Sequence, residues 1–244
     1  MDARYDAVRY ELLRPDEVRR RREQTPIAYI PAGSLEWHSF QNPLGTDALK
    51  AHGVCCEAAL QGGGVSLPPY YQGLVGDGNW GPKGWCGYPL GYNQEEVMEA
   101  TFRGIARALA AAGWKVLVGV TGHDVEPQRA AMERGILQGV EGSEATGFAV
   151  LEGGLHEPDD DVPYGMDHAV AWETSCMMYL WGRRVDLDEL SRRGLATSEK
   201  MEMSGPEGIG GWNPVQYASE ELGRKITHRT GGQIARKARE ILEG

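Results

Sequence analysis

Residues 33–47, GSLEWHSFQNPLGTD, gather three metal-ligating residue types in one short stretch: Glu36, His38 and Asp47. Residues 26–31, PIAYIP, read as a strand leading into it. If that strand runs on, Glu36 and His38 point to the same face, because strand side chains alternate with a period of two. A loop containing Asn42, Pro43 and Gly45 could return Asp47 to the same spot. Carboxylate, imidazole and carboxylate form a workable donor set for a divalent ion. The competing structural reading makes Glu36 and Asp47 solvated loop acids and His38 a half-buried packing residue.

Further residues of the same chemical types follow later strands. In parallel α/β proteins the site lies beyond the carboxyl ends of the strands. Residues 115–120, KVLVGV, read as a central parallel strand, and His123 follows directly in the turn TGHD. Residues 145–151 read as another strand, followed after a loop by His168 and Glu173. His123 could instead cap the next helix. His168 and Glu173 are five apart and do not face each other closely on a straight helix. One can therefore be a ligand while the other contacts substrate or stays behind the ligands.

The elements that must carry these residues alternate. Residues 15–22 read as a helix, with Pro15 near its start and acids in its first turn. Thr46 or Asp47 could cap a helix over 48–60, and 65–68 read as a short strand. Asn93, with Glu96 three residues on, caps a helix to about residue 112. Its small residues Ala100, Gly104, Ala108 and Ala111 would permit close packing on a sheet. Helices are also expected over 126–140, 167–180, 214–227 and 232–242, with 190–211 irregular. This order implies right-handed βαβ units and an α/β fold with a mostly parallel sheet. No repeat or internal boundary divides residues 1–244, so one domain is expected.

Composition narrows the function. The net charge of -10 argues against a nucleic-acid backbone as partner, and no basic run offsets it. No run of eighteen apolar residues suggests a membrane span, and the polar N-terminal stretch lacks a signal-peptide core, so the cytoplasm is expected. Cys55, Cys56, Cys86 and Cys176 contain no C-x-x-C spacing and read as free thiols. Residues 69–92 form a long loop where glycines sit beside Trp80, Trp85, Tyr88 and Tyr92; such loops often wall small-molecule clefts or make subunit contacts. Gly76, Gly78 and Gly81 match a bare G-x-G-x-x-G, but within that loop and not between a strand and a helix, so a nucleotide site is not supported. No G-x-S-x-G nucleophile is present.

Three motifs in order resemble the creatininase (creatinine amidohydrolase) family: Glu36-Trp37-His38 followed by Pro43-Leu44-Gly45-Thr46-Asp47, then Thr121-Gly122-His123, then His168-Ala169 with Glu173-Thr174-Ser175. The resemblance covers roughly residues 27–180, with the Gly87-Tyr88-Pro89 connector also in place. It implies a three-layer α/β sandwich, often assembled as a homo-oligomer such as a hexamer, with a two-metal centre of zinc, manganese or iron. Asp47 would bridge the ions, Glu36 and His123 would complete one site, and His38 and Glu173 the other. The glutamate that is a ligand in creatinine-cleaving members falls at Val125, so Glu173 is preferred and Glu126 is a weaker substitute. His168 matches a site histidine that would act on the substrate or leaving group.

The implied chemistry is hydrolysis by a metal-bound hydroxide, with one ion polarising a carbonyl and His168 supplying a proton. Departures at Ser39-Phe40-Gln41-Asn42, Thr121 and Asp124-Val125-Glu126 alter the pocket rather than the metal set. Trp37, Gln41, Asn42, Asp124 and Trp172 would then bind a small polar ring. A cyclic amide opened at its C–N bond is the expected substrate. Cleavage of a C–C bond in an oxidised inositol (diketo-inositol) is the alternative within the family, and a non-catalytic binding member of the fold is the reading outside enzymology.

Overall fold

The computed structural model describes residues 1, 3–74, 94–157, 167–203, 205 and 207–244. In chain order its elements are α1 (Pro15–Gln24), β1 (Ile27–Gly33), α2 (Thr46–Gly62), β2 (Val65–Ser66), β3 (Tyr70–Tyr71), α3 (Glu95–Ala111), β4 (Val116–Thr121) and α4 (Glu126–Val140). They continue with β5 (Thr146–Leu151), α5 (Ala171–Trp181), α6 (Leu187–Arg192), β6 (Lys200–Met201), β7 (Gly211–Trp212), α7 (Pro214–Tyr217) and α8 (Glu220–Glu243).

The apolar run IAYIPAG makes β1 a strand buried on both faces, as a central parallel strand must be. It pairs in parallel with β4 from Ile27↔Val116 to Ala32↔Thr121, and β4 pairs in parallel with β5. On its other side β1 meets β2 near its start and β3 at its end. Pro68 and Pro69 lie between these two short pieces; lacking N–H groups, they interrupt the ladder. The strand expected over 65–68 is thus confined to β2, and β3 is a second short edge piece within the stretch read as loop.

Alternation along β1 sends Ile27 and Tyr29 to one layer and Ala28, Ile30 and Ala32 to the other. The first layer is α2 and α8, packed through Val54, Cys55 and Ala58 and through Ile234, Ala235 and Ala238. The second is α3 and α4, packed through Met98, Phe102 and Leu109 and through Met132 and Ile136. The result is the expected α/β sandwich of helices on both faces of a parallel sheet. Cys55, Cys56 and Cys176 are buried free thiols, while Cys86 and the glycine- and tryptophan-bearing segment 75–93 lie outside the described residues. Among the described residues no helix is long and apolar enough to cross a membrane.

Two local expectations change. On α3 the small residues Ala100, Gly104, Ala108 and Ala111 are exposed, because the stripe of large apolar residues takes the buried face. Close approach is supplied instead by α4, where a Cβ on Gly135 or Gly139 would lie 2.5 Å from the carbonyl oxygen of Glu99 or Arg103. The C-terminal region is not two helices of similar length. Ala218 leaves the helical conformation after α7, and the Ser219 hydroxyl accepts from the Leu222 N–H to start a single 24-residue α8. Gly231 and Gly232 continue that helix, since a Cβ on Gly231 would sit 2.9 Å from Glu57 Cβ of α2.

Glu57 shows what holds the α2–α8 layer to the N-terminal turn. Its buried carboxylate accepts from Tyr5 Oη, Arg4 Nη2, Gln61 Nε2 and His228 Nδ1, each at 2.9 Å. Burial opposes ionisation, but the hydrogen bonds from His228, Gln61 and Tyr5 and the Arg4 charge hold this carboxyl below its usual value. A depressed carboxyl stabilises the fold above its unfolded value, about pH 4.3, and that contribution fades as pH falls through the lower folded value. Glu57→Gln is therefore expected to cost about 1–3 kcal/mol at pH 7, with the gap to wild type closing in acid. Urea melts at pH 7 and pH 3.5 test this; a gap that is constant or widens in acid would sink it.

Candidate metal centre

Strand β1 stops at Gly33, and residues 34–38 are irregular, so strand alternation does not align Glu36 and His38 as expected. The first turn of α2 lies across the strand end instead. A Cβ on Gly33 would come 2.3 Å from the Ala48 nitrogen, and one on Gly122 would come 2.2 Å from the Asp47 carbonyl oxygen. Glycine after β1 and after β4 thus lets Asp47 sit over both strand ends. Neither Thr46 nor Asp47 caps α2; the N-cap is Gly45. Asp47 occupies the first turn, where the positive end of the helix favours a carboxylate. The Ser34 hydroxyl donates to Asp47 Oδ2 at 2.7 Å.

The expected ligands converge here. His123 Nδ1 lies 3.1 Å from Glu36 Oε1 and 3.2 Å from Asp47 Oδ2. His38 Nε2 lies 2.9 Å from Asp47 Oδ1 and 3.5 Å from Glu173 Oε2. Donor atoms of Glu36, Asp47 and His123, and of His38, Asp47 and Glu173, each fall within 4.8 Å of one another. Asp47 belongs to both sets, with one oxygen toward each. Apart from His168 the donors are all but buried.

Backbone carbonyls orient the imidazoles. His38 Nδ1 donates to the Glu36 carbonyl at 3.2 Å, His123 Nε2 to the Leu74 carbonyl at 2.8 Å, and His168 Nε2 to the Trp37 carbonyl at 2.9 Å. A carbonyl only accepts, so in each neutral ring the other nitrogen turns a lone pair toward the carboxylates. This is the outer support that metal-ligating histidines ordinarily have. His38 Nε2 is buried and makes no hydrogen bond despite its closeness to Asp47. A divalent cation between these lone pairs would satisfy it, so the residues fit a metal.

Without a cation, protons must carry the compensating charge. Burial opposes protonation of His38, yet the charges of Asp47, Glu173 and Glu36 push it up to about 9. Burial likewise works against ionised Asp47, and His38 and His123 hold it well below the carboxylate range. His168 goes the other way: burial, with His38 beside it, lowers it.

Glu173 reaches the centre from the first turn of α5, which begins at Ala171 and not at Asp167. Ala169, at a φ of 58°, breaks the helical path between them, and Asp167 accepts from the N–H groups of Trp172 and Glu173. His168 is positioned before the helix by an antiparallel bridge to Gly210, with Nδ1 4.0 Å from Glu36 Oε1. The break lets both residues reach one point despite their spacing. Glu126 does not take part: it is exposed and paired with Arg129.

The side chains expected to meet substrate are engaged with the protein. Gln41 Nε2 donates to the Ala169 carbonyl at 2.6 Å, and Asn42 Nδ2 to Thr174 Oγ1 at 2.9 Å. Both are buried, and they tie the Glu36–His38 segment to the turn that carries His168 and Glu173. Trp37 Nε1 donates to the Glu207 carbonyl at 2.7 Å, Trp172 stacks on His156, and Asp124 accepts from the Gly153 N–H at 3.2 Å.

A buried ion network behind Glu173 was not anticipated. Lys50 Nζ donates to Glu173 Oε1 at 2.6 Å and lies 2.9 Å from Glu152 Oε2, while Glu152 Oε1 is 2.7 Å from His156 Nε2. Signals for it existed. Lys50 is one helical turn beyond Asp47, hence on the same face, and Glu152 directly follows β5 at the strand edge where chemistry was expected.

A protein-family model described as creatininase, creatinine amidohydrolase, matches residues 11–237. No curated protein matches. Among solved structures, a creatinine amidohydrolase (creatininase) superposes with a TM-score of 0.76 at 20% identity, covering 94% of this chain and 96% of that one. A creatininase described as the Mn form gives 0.76 at 21%, covering 96% and 98%. A creatininase variant of Zn-Zn type gives 0.74 at 22%, covering 95% and 97%. At such identities the superpositions speak for the fold, and it is the family model, spanning the strands, the convergent acids and histidines and the helices behind them, that places this chain in the creatininase family.

Proposed function

We propose that this chain is a divalent-metal-dependent hydrolase that opens or cleaves a small polar cyclic amide at its C–N bond. The observation that carries the reading is Asp47, which turns Oδ2 to His123 and Oδ1 to His38 and belongs to the donor sets of both Glu36 and Glu173. In this reading Asp47 would help hold two ions, with Glu36 and His123 on one side and His38 and Glu173 on the other, zinc or manganese first and iron next; solved creatininases described as Mn and Zn-Zn forms support that choice. Bound there, the ions would supply an activated water and polarise the substrate carbonyl.

The chain's own residues do the rest. Ser34 fixes the bridging carboxylate, and the carbonyls of Glu36 and Leu74 keep the lone pairs of His38 and His123 on the site. His168, kept neutral near pH 7 by burial, has its Nε2–H held by the Trp37 carbonyl, leaving Nδ1 to take up a proton and hand it to the departing nitrogen. Trp37, Trp172 and Asp124 shape the surroundings, while Gln41 and Asn42 lock the two ligand-bearing segments together.

Elemental analysis of protein purified without chelator, followed by a screen of cyclic amides and then oxidised inositols, tests the reading. About two equivalents of metal per chain and turnover of a cyclic amide are expected. His168→Gln should then keep its metal and lose about 100- to 10,000-fold in kcat. Turnover of an oxidised inositol alone would move the reading to C–C cleavage. Metal-supplemented protein that holds no ion would overturn it.

A further inference from the structure

One short stretch of chain holds His168 from two directions. The His168 backbone N–H donates to the Gly210 carbonyl at 2.9 Å, and the Gly210 N–H donates back to the His168 carbonyl at 3.2 Å. The ring Nε2–H donates to the Trp37 carbonyl, and the Trp37 indole N–H in turn donates to the Glu207 carbonyl at 2.7 Å. Only Gly208 and Ile209 separate Glu207 from Gly210, and residues 207–210 are buried throughout. The stretch therefore reaches across the site, from the Glu36–His38 segment to the turn that carries His168.

The Glu207 carboxylate anchors this stretch. It is buried, and Oε1 accepts from the Ala196 N–H at 2.9 Å. A buried carboxylate is costly unless hydrogen bonds satisfy it, so the donor must be held in place. Ala196 is held. Its φ is 56°, a conformation that a residue with a Cβ keeps only where its surroundings impose it. Asn213 Nδ2 donates to its carbonyl at 2.6 Å. Its methyl group shares one small core with Ile209 and with Ala169 and Val170, the two residues that follow His168. The anchor and the residue it serves thus rest on the same packed cluster.

We infer that Glu207 is a positioning residue for His168: its carboxylate fixes the 207–210 stretch, and through the Trp37 indole and Gly210 that stretch sets the direction of the imidazole. What the direction is for rests on the role given to His168 in the hydrolase reading above. An imidazole that hands a proton to a departing nitrogen must point at it, and a misplacement of about 1 Å can cost about 100-fold in rate. Glu207 belongs to neither donor set, so its loss should disturb proton transfer and leave the metal in place.

The test is ¹⁵N spectroscopy of zinc-supplemented, full-length protein labelled at tryptophan and histidine, beside kcat and KM for a cyclic amide that wild type turns over. In Glu207→Ala the Trp37 indole N–H and the His168 Nε2–H are expected to lose about tenfold or more of their protection from hydrogen exchange. In the same variant kcat should fall about 10- to 100-fold while KM stays within about twofold and metal content is unchanged. Glu207→Gln keeps an acceptor oxygen of the same reach and should restore both signals and kcat. Trp37→Phe breaks only the indole bond to the Glu207 carbonyl; it should release the His168 Nε2–H and lower kcat alike, and it decides where Glu207→Ala fails to fold. A His168 ring N–H that stays protected, a kcat at the wild-type level, or a Glu207→Gln protein as impaired as Glu207→Ala overturns the role of Glu207 and leaves the hydrolase reading standing. If wild type turns over no substrate, the hydrolase reading fails, and the ring signal alone decides whether Glu207 positions His168.

Discussion

Asp47→Asn is expected to empty both metal positions together and to lower kcat/KM by about 1000-fold or more, equivalent to about 4 kcal/mol of transition-state stabilisation. The reason is that one side chain serves two sets. Asp47 Oδ2 faces His123 at 3.2 Å and Oδ1 faces His38 at 2.9 Å. Asparagine keeps the volume but brings no charge, and it exchanges one of those oxygens for an N–H donor. That donor would face either an imidazole lone pair or Ser34, whose hydroxyl now donates to Oδ2. Glu36→Gln is expected to weaken only the His123 position, so the pair of variants separates a bridging carboxylate from an ordinary ligand. Elemental analysis with thermal melts makes the comparison. An Asp47→Asn protein that still held about two equivalents of metal would remove the shared ligand from the account.

A large effect on stability is expected at Gly122, which carries no donor atom of its own. A methyl there would lie 2.2 Å from the Asp47 carbonyl oxygen and 2.9 Å from its carbonyl carbon. Both are backbone atoms in the first turn of α2 and cannot rotate aside. Relief requires the helix end to move off β4, which carries Asp47 away from His123. Gly122→Ala is therefore expected to cost about 3 kcal/mol or more and to lose metal at the same time. Gly154→Ala is the control, since a Cβ there meets only Leu151 Cβ, at 3.6 Å. Denaturant melts of the two variants settle it; equal stability for both would mean that α2 is not tightly seated on the strand ends.

Much of this was legible in the residues. Apolar runs over 27–31 and 115–120 mark β1 and β4, because a strand covered on both faces must be apolar, and residues 145–151 mark the partly exposed edge strand β5. Their carboxyl ends and the motifs beyond them name Glu36, His38, Asp47, His123, His168 and Glu173. All six side chains come together, although alternation along a strand is not what brings the first two to the site. Where local pattern was asked for more, it failed for identifiable reasons. Small residues on α3 suggested a packing face, yet burial rewards area, and Met98, Phe102 and Leu109 took that face. Separate helices were expected over 214–227 and 232–242, yet α8 runs unbroken through Gly231 and Gly232, where it lies close on α2.

The sequence alone thus determined the order of strands and helices, the parallel class of the sheet and the donor types beyond its edge, since these follow from periodicity and from residues near one another in the chain. The motifs, through the family resemblance, already implied that Asp47 serves two sets; only the tertiary structure decided that Gln41 and Asn42 lock segments together and that Lys50 and Glu152 stand behind Glu173. Lys50 and Glu173 are 123 residues apart, and Gln41 and Ala169 128 apart. No local periodicity encodes such pairs; they exist because helices packed on both faces of one sheet bring distant segments within hydrogen-bonding distance in a place from which water is excluded.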